Sequence, residues 1–292
     1  MDGQSPLPET RYWSEQPLDA LSVIFSKLGA VEVLMGAGLV CHSWLHAAKV
    51  PVLWRTVEML VCREMGSSFN RRGILNALGK VAVKRSNRQL DVLKCGGFAT
   101  NELLTYVGHR SSSFLKSLYL DSCSKVTKRG FKQLIRKSPQ LGDLVLKFCE
   151  KLRGNVYEAV AKACPRLRRL EVRRWISEDE LLGIAAMHEL RCLTLKGMVV
   201  RGGALAAIVD GCPHLELLDA DGCVLLDVDD ALRARCAVID SLKLPSGFVA
   251  ASDYDDYYFG REEDDDGGFE FNLVHNDYDY DEFGECNSYY YR

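Results

Sequence analysis

The spacing of hydrophobic and polar residues changes along the chain and divides it into two parts. Between residues 12 and 56, apolar residues recur every three or four positions, which is the spacing of amphipathic helices. From about residue 87, short runs that alternate apolar and polar residues predict β-strands instead. The first helical stripe consists of Leu18, Leu21, Ile24, Phe25 and Leu28.

The first part predicts three short helices. Pro17 suits the first turn of helix one, Ser14 is a candidate N-cap, and Gly29 predicts its end. Pro51 opens a short third element that ends on Trp54. So few residues cannot bury this many large apolar side chains among themselves, and the apolar face that remains predicts a partner. The second helical pattern carries Leu34, Leu39, Val40, Trp44 and Leu45, of which Trp44 fits the core or the interface equally well.

Three motifs in this helical part resemble the F-box family. They read Pro-x-acid-x-Leu-x-x-Ile-Phe-Ser-x-Leu from Pro17, Val-Cys-x-x-Trp from Val40 and Pro-x-Leu-Trp from Pro51. Gln16 and His42 depart from the leucine and lysine usual in the family. F-boxes bind the Skp-type adaptor of SCF ubiquitin ligases. The resemblance implies adaptor contacts at Pro17, Leu18, Leu21, Ile24, Phe25, Leu28, Val40 and Trp54.

The second part repeats itself, which predicts a solenoid of stacked strand–helix units. Seven Leu-x-Leu-like triplets begin 28, 26, 26, 23, 25 and 24 residues apart. Alternate strand residues share one face, so the leucines point inward, and each unit buries its apolar edge against its neighbours. The triplets are Leu90-Asp-Val92, Leu118-Tyr-Leu120, Leu144-Val-Leu146, Leu170-Glu-Val172, Leu193-Thr-Leu195, Leu218-Asp-Ala220 and Leu242-Lys-Leu244.

Cysteine recurs shortly after the triplets, which is typical of a small buried thiol in a crowded corner. It occurs at Cys95, Cys123, Cys149 and Cys223, with Trp175 and Met198 in the equivalent slot of two other units. The array resembles leucine-rich repeats of the cysteine-containing, plant-like type, a type often joined to F-boxes.

The predicted fold class is α/β: a short three-helix F-box, then a curved parallel sheet with outer helices, then a disordered acidic tail. Residues 57–86 predict a strand near 57–61 and a helix near 73–83. The predicted domains are a disordered N-terminus at 1–11, the F-box at 12–56, a linker with an atypical first repeat at 57–86, the repeats at 87–248 and the acidic tail at 249–292.

Composition limits the possible functions. The sequence lacks the phosphate-binding loop, nucleophile-elbow and zinc-protease motifs, so we expect no enzyme, cofactor or metal. The opening residues predict no secretory signal, and the 11 cysteines, an odd number, favour reduced thiols, which indicates a cytoplasmic or nuclear protein. The formal charge of −3 hides an asymmetry: from Val249 onward there are 14 acidic and two basic residues, which leaves the preceding chain near +9.

Residues that flank the buried leucines should face outward on the concave side of the sheet, where a rigid surface suits protein recognition. The middle of this face is basic, with Arg168 and Arg174 beside it, and either an acidic target segment or the chain's own tail could bind there. The predicted substrate-binding residues are Tyr119, Lys147, Arg169, Arg173 and Lys196. The full predicted face is Ser117, Tyr119, Asp121, Asp143, Val145, Lys147, Arg169, Glu171, Arg173, Cys192, Thr194, Lys196, Leu217, Asp219, Asp221, Ser241 and Lys243.

Together the two resemblances imply the substrate-recognition subunit of an SCF-type E3 ubiquitin ligase. The F-box would bind the Skp-type adaptor, and through it the cullin, while the repeats hold a target protein for ubiquitination. The alternative is a nucleic-acid or chromatin-associated adaptor that uses the basic repeat surface; we rank it second because the basic residues lack an aromatic stacking platform.

Overall fold

A computed structural model describes residues 13–60, 69–110, 112–245 and 248–249. Its contacts divide the chain into two units, 1–251 and 252–292. The predicted disordered N-terminus lies outside the described residues, as does the predicted acidic tail apart from Val249.

The first unit begins with a module of short helices. The prediction of a single second helix is wrong, because the structure has two α-helices there with a 3₁₀ turn between them. A side chain at Gly38 would come within 2.6 Å of the carbonyl oxygen of Val33, so the chain turns where only glycine fits. Ser14 does not cap the first helix, whose N-cap is Pro17. The α-helices are α1 (Leu18–Phe25), α2 (Ala30–Met35) and α3 (His42–Ala47), with 3₁₀ turns at Trp13–Glu15, Ala37–Leu39 and Pro51–Trp54.

Eight parallel strands follow in a single sheet, which confirms the predicted solenoid. The sheet order is β1-β2-β3-β4-β5-β6-β8-β10, so each repeat adds its strand beside the preceding one. The strands are β1 (Thr56–Met59), β2 (Val92–Cys95), β3 (Ser117–Asp121), β4 (Asp143–Lys147), β5 (Arg169–Arg173), β6 (Cys192–Lys196), β7 (Val199–Arg201), β8 (Leu217–Asp219), β9 (Val224–Leu226), β10 (Ser241–Lys243) and β11 (Phe248–Val249).

The remaining helices pack on one side of this sheet. Their buried side chains, such as Leu103, Phe131 and Val160, meet the inward leucines of the strands. They are α4 (Phe69–Arg85), α5 (Asn101–Arg110), α6 (Lys128–Ile135), α7 (Val156–Ala163), α8 (Glu178–Ile184), α9 (Gly202–Gly211) and α10 (Asp230–Cys236), with a 3₁₀ turn at Ser112–Phe114.

The first predicted triplet is in the wrong register. Leu93 and Cys95 of β2 pair with Leu118 and Leu120 of β3, so the inward pair is Leu93 and Cys95. Leu90 instead takes the buried position that precedes each strand, as Leu115 does in the next repeat. Cys95 stands where the other triplets have leucine, valine or alanine, and this hides the true triplet in the sequence.

A second, three-stranded parallel sheet was not predicted. It consists of β7, β9 and β11 in the order β11-β9-β7, and it follows the main strands in the last three repeats. Val200 and Leu225 are paired in it and fully buried, so the apolar residues after the cysteine slot extend the core in these repeats.

Three of the four cysteines predicted for the slot, Cys123, Cys149 and Cys223, occupy it and are buried, but Cys95 lies within β2 and the β5 repeat also departs from the prediction. The thiols of Cys123 and Cys223 lie 3.2 Å from the carbonyl oxygens of Gly96 and Leu195, each on the preceding repeat. Trp175 does not occupy the slot: it is 50% exposed, and the neighbouring Arg174 points into the interior instead.

Candidate functional site

Many apolar side chains of the helical module are exposed. Of the eight predicted adaptor contacts, Pro17, Leu18, Ile24, Leu28 and Val40 are exposed, Ile24 by 40% and Val40 by 63%. Isolated exposed apolar residues are common, but so many on one short module form a patch that needs a partner. Further exposed apolar residues of this module are Trp13, Val23, Met35, Leu39 and Val52, of which only Leu39 belonged to a predicted helical stripe.

The other three predicted contacts are core residues in this structure. Leu21 and Phe25 are each 1% exposed, and the Phe25 ring packs edge-on against Trp44 with centroids 5.4 Å apart. Trp54 is buried and its indole N–H donates to the carbonyl oxygen of Ala48 over 3.0 Å. Helical spacing marks an apolar stripe but does not show which of its members face inward, so the sequence could not separate these three core residues from the five exposed ones. Adaptor contact stays a prediction for the five exposed residues.

Trp54 also joins the module to the repeats. The Arg85 guanidinium of α4 lies over its ring at 5.3 Å and donates to the carbonyl oxygen of Ala48 over 3.0 Å. β1 begins two residues after Trp54, at Thr56, and pairs in register with β2. The module therefore shares one hydrophobic core with the repeats, and a partner bound to the module is held in a defined position relative to the sheet.

The outward face of the main sheet, called here the sheet face, is the predicted recognition surface. Its central feature is Glu171, which accepts hydrogen bonds from Arg173 over 2.7 Å and from Lys147 over 3.1 Å. The Lys147 ammonium also lies 5.1 Å from the centre of the Tyr119 ring. Burial alone raises the pKa of Glu171, but Lys147 and Arg173 outweigh that effect and hold the pKa below its usual value.

Ion pairs therefore cancel most of the basic patch predicted for this face. Lys196 pairs with Asp219 on the adjacent strand over 2.6 Å. Arg169 is the exposed cation of the predicted set, and it lies beside Asp143 in the register of β4 and β5. Burial raises the pKa of Asp143, an effect that Arg169 opposes. Four of the five predicted substrate-binding residues, Tyr119, Lys147, Arg173 and Lys196, are half-buried, and binding of a substrate by any of the five stays a prediction.

Two aromatic side chains at the carboxyl ends of β4 and β5 were not predicted as site residues. Phe148 and Trp175 are each 50% exposed. The Phe148 N–H donates to the Arg173 carbonyl over 2.9 Å, which holds one strand end against the next. Large aromatic residues anchor many protein interfaces, so this edge of the sheet face is a candidate contact region. A positive φ of 50° at Phe148 accompanies its outward position.

Arg174 was predicted beside the basic middle of the sheet face, but it points into the core instead. Its side chain is buried and donates to Glu180 Oε1 over 2.7 Å, and Glu180 Oε2 accepts from the Ser177 N–H over 3.1 Å. Ser177 caps α8 in return, so the pair is part of a complete capping box. This buried pair replaces the small thiol that other repeats carry.

The cysteines have the properties of core residues. All nine in the described part of the chain are unpaired, and seven of them are buried. Burial raises the pKa of Cys212 and Cys223 to about 11 and that of Cys95 and Cys164 to about 12. A nucleophilic cysteine needs a lowered pKa, so these four thiols are unsuited to catalysis near neutral pH.

The described residues contain no group of three or more histidine, cysteine or acidic residues placed to hold a metal ion. None of their helices is both long enough and apolar enough to cross a membrane.

Comparison with known proteins identifies the family. The chain is 34% identical over 236 residues to F-box protein SKIP19 of Arabidopsis thaliana, covering 78% of this chain and 75% of that protein. It is 31% identical over 240 residues to Arabidopsis F-box/LRR-repeat protein 22, covering 77% and 73%. The chain belongs to the F-box/leucine-rich-repeat family.

This F-box/leucine-rich-repeat protein covers only about half of two further matches. It is 33% identical over 247 residues to Arabidopsis F-box/LRR-repeat protein 23, and this match covers 80% of the chain but only 54% of that relative. A structure of the yeast Rad7 and Elc1 complex aligns with a TM-score of 0.38 at 18% identity, over 82% of this chain and 55% of that one. No family model matches the sequence.

Proposed function

We propose that this F-box/leucine-rich-repeat protein is the substrate-recognition subunit of an SCF-type E3 ubiquitin ligase. The observation that carries the proposal is the exposure of four large apolar side chains of the helical module, Leu18, Ile24, Leu28 and Val40. The F-box resemblance places the Skp-type adaptor at these residues. The shared core with the repeats supports it further, because a rigid connection is what a receptor needs to present a target.

The protein itself performs no chemistry in this proposal. Adaptor and cullin bring the ubiquitin-charged enzyme to one end, and the repeats hold the target near it. Holding two reactants together raises their effective concentration, so the acceleration comes from proximity. We place this assembly in the cytoplasm or the nucleus, where ubiquitin ligation takes place.

The target surface in this proposal is the sheet face together with its aromatic edge. Phe148 and Trp175 provide apolar anchors, while Tyr119, Lys147 and Arg173 provide polar contacts around the central Glu171. Because Glu171 already neutralises part of the positive charge, the face suits a target with mixed polar and apolar side chains better than a purely acidic segment. Anchoring aromatic residues commonly carry most of the binding free energy in such interfaces.

A pull-down with purified Skp-type adaptor tests the adaptor surface. Ile24→Asp puts a charge on the exposed apolar surface and should weaken binding by about 2 kcal/mol or more, roughly 30-fold, because the carboxylate loses its water in the interface. Val238→Asp is the matched control: Val238 is 83% exposed and follows α10, in the last repeats. The control should bind like the unmodified protein.

The outcome separates binding from folding. Leu21→Asp places a carboxylate in the core of the module and should lose adaptor binding together with helical circular dichroism signal, whereas Ile24→Asp should lose binding alone. Full adaptor binding by Ile24→Asp, or no binding by the unmodified chain, would refute the proposed function.

A further inference from the structure

The positive charge of the chain is concentrated on the helix side of the repeats. On the sheet face, Lys94 pairs with Glu58 over 2.9 Å, and Lys147, Arg173 and Lys196 have carboxylate partners as described above. Residues 103–142, by contrast, contain eight lysines and arginines and a single acidic residue, Asp121, which lies on the sheet face. The surplus of this segment therefore lies largely on α5, α6 and the turns beside them.

The outward side of α6 is made of polar and cationic side chains. Its charged residues are all basic, and Arg129, Lys132 and Arg136 follow at three- and four-residue spacing, which puts them on one side of the helix. Burial and then the neighbouring charges of Lys128 and Arg136 lower the pKa of Lys132, an effect that Glu158 of α7 opposes, so the like charges are close enough to repel.

Lys132, Lys137 and Arg110 make hydrogen bonds and ring contacts with neutral groups. Lys132 donates to the amide oxygen of Asn155 over 2.6 Å, and the Lys137 ammonium lies 3.3 Å from His109 Nδ1. The Arg110 guanidinium lies 5.7 Å from the centre of the Tyr106 ring. Such partners hold the side chains in place without cancelling their charge. A shallow groove of about 300 Å³ lies between α5 and α6 and is lined by Thr105, Gly108, His109, Gln133, Arg136 and Lys137.

The composition of this surface selects the class of partner. A stable protein interface needs an apolar core, which the outward residues of α6 do not supply. Contacts to phosphate need only positive charge and N–H donors, and these contacts fix position without reading sequence. We propose that the α5–α6 surface, defined by His109, Arg110, Lys128, Arg129, Lys132, Arg136 and Lys137, binds the phosphate backbone of nucleic acid without sequence specificity.

The size of the surface sets the expected strength. Arg129 and Arg136 are separated by about 10 Å along the helix axis, and α5 lies about 10 Å to the side, so the surface reaches roughly four phosphates. The expected slope of log affinity against log salt is then about −3 to −4, with a dissociation constant of about 1–100 μM at physiological salt.

Fluorescence anisotropy with the full-length chain tests this inference. The probes are a labelled DNA duplex of about 20 base pairs and a labelled RNA of about 20 nucleotides. Binding is measured at salt concentrations from about 50 to about 200 mM, a range over which phosphate contacts weaken strongly. The triple variant Arg129→Glu, Lys132→Glu and Arg136→Glu should lose at least about tenfold in affinity, and its salt slope should fall by about 3.

A charge-matched variant makes the result specific to the site. The triple variant Arg201→Glu, Arg233→Glu and Arg235→Glu changes the net charge by the same amount at the end of β7 and on α10. It should keep its affinity within about threefold. Equal losses in the two variants, no binding of either probe at the lowest salt, or equally effective competition by poly-glutamate of the same charge would each overturn the proposal.

The same samples keep this inference separate from the proposed function. Both triple variants leave the helical module unchanged and should bind the adaptor like the unmodified chain. A failure to bind nucleic acid with normal adaptor binding removes only the α5–α6 site, and the converse removes only the ligase role.

Discussion

The buried Arg174–Glu180 pair offers the sharpest test of how this fold is stabilised. Both side chains are buried, at 0% and 3% exposure, and their contact distance is 2.7 Å. Removing one member leaves the other charge in the core without its counter-ion, which typically costs about 3–5 kcal/mol. Glu180→Leu should therefore destabilise the protein by about that amount, plus about 1 kcal/mol for the lost capping interaction with Ser177.

Two further variants divide the loss into its parts. Ser177→Ala removes the side-chain cap alone and should cost about 1 kcal/mol. The double variant Arg174→Met and Glu180→Leu removes both charges and fills the space with apolar groups. It should recover most of the loss of Glu180→Leu, because buried ion pairs are often replaced by apolar residues at little cost.

Urea unfolding followed by far-ultraviolet circular dichroism measures these differences. The slopes must agree among the variants, since a repeat array can lose cooperativity when one repeat is weakened. A loss below about 1.5 kcal/mol for Glu180→Leu would contradict a charge stranded in the core, since that is well under the usual cost of breaking such a pair. A double variant no more stable than the single one would show that packing, and not the unpaired charge, is the cause.

Two more predictions test the sheet face and the helix packing. Glu171→Gln should destabilise the protein by about 1–3 kcal/mol at pH 7, because it weakens the bonds to Lys147 and Arg173. Since the folded pKa of Glu171 is lowered, this difference in stability should be present above about pH 4.3 and vanish as the pH falls through the folded pKa. Urea unfolding midpoints of the two proteins at about pH 7 and about pH 3 measure the difference. Gly211→Ala should destabilise the protein by about 1–3 kcal/mol, because its Cβ would collide with the Ala185 carbonyl oxygen. Gly203→Ala in the same helix is the control: its Cβ meets nothing within 4 Å, so it should be neutral or stabilise the protein by up to about 1 kcal/mol. Thermal unfolding of both variants measures these differences.

The repeat spacing was enough to predict the main sheet but not every position in it. Six of the seven triplets put their leucines inward because the period of two residues is strict within a strand. The first triplet failed since Cys95 stands in a leucine position, and Leu90 offered a misleading alternative. The sheet of β7, β9 and β11 escaped prediction because its strands have only two or three residues, too short for an alternating pattern.

The position of Trp175 shows a different limit. Spacing placed it in the cysteine slot, where the structure has a reversal of two neighbours: Arg174 turns inward and Trp175 turns outward. The signal was present three residues further on, because Ser177 and Glu180 form a capping box that brings a carboxylate near the slot. A buried arginine is stable only with a partner charge, and the sequence does not show that the Glu180 carboxylate reaches the slot. The sequence alone could therefore not decide which of the two residues is buried.

The net charge of the sheet face depends on residues of adjacent strands, which are far apart in the sequence. Glu171 is flanked in sequence by Arg169 and Arg173, which suggested a basic strand, but its second cation, Lys147, comes from the strand before. In this register Lys147 is beside Arg173 and Glu171 is beside Val145, and the Glu171 carboxylate contacts Arg173 on its own strand and Lys147 on the neighbouring strand. The same reasoning applies to Lys196 and Asp219. A count of charges along one strand therefore overestimates how basic a repeat surface is, whereas an α-helix such as α6, whose charged residues all have the same sign, cannot neutralise itself in this way.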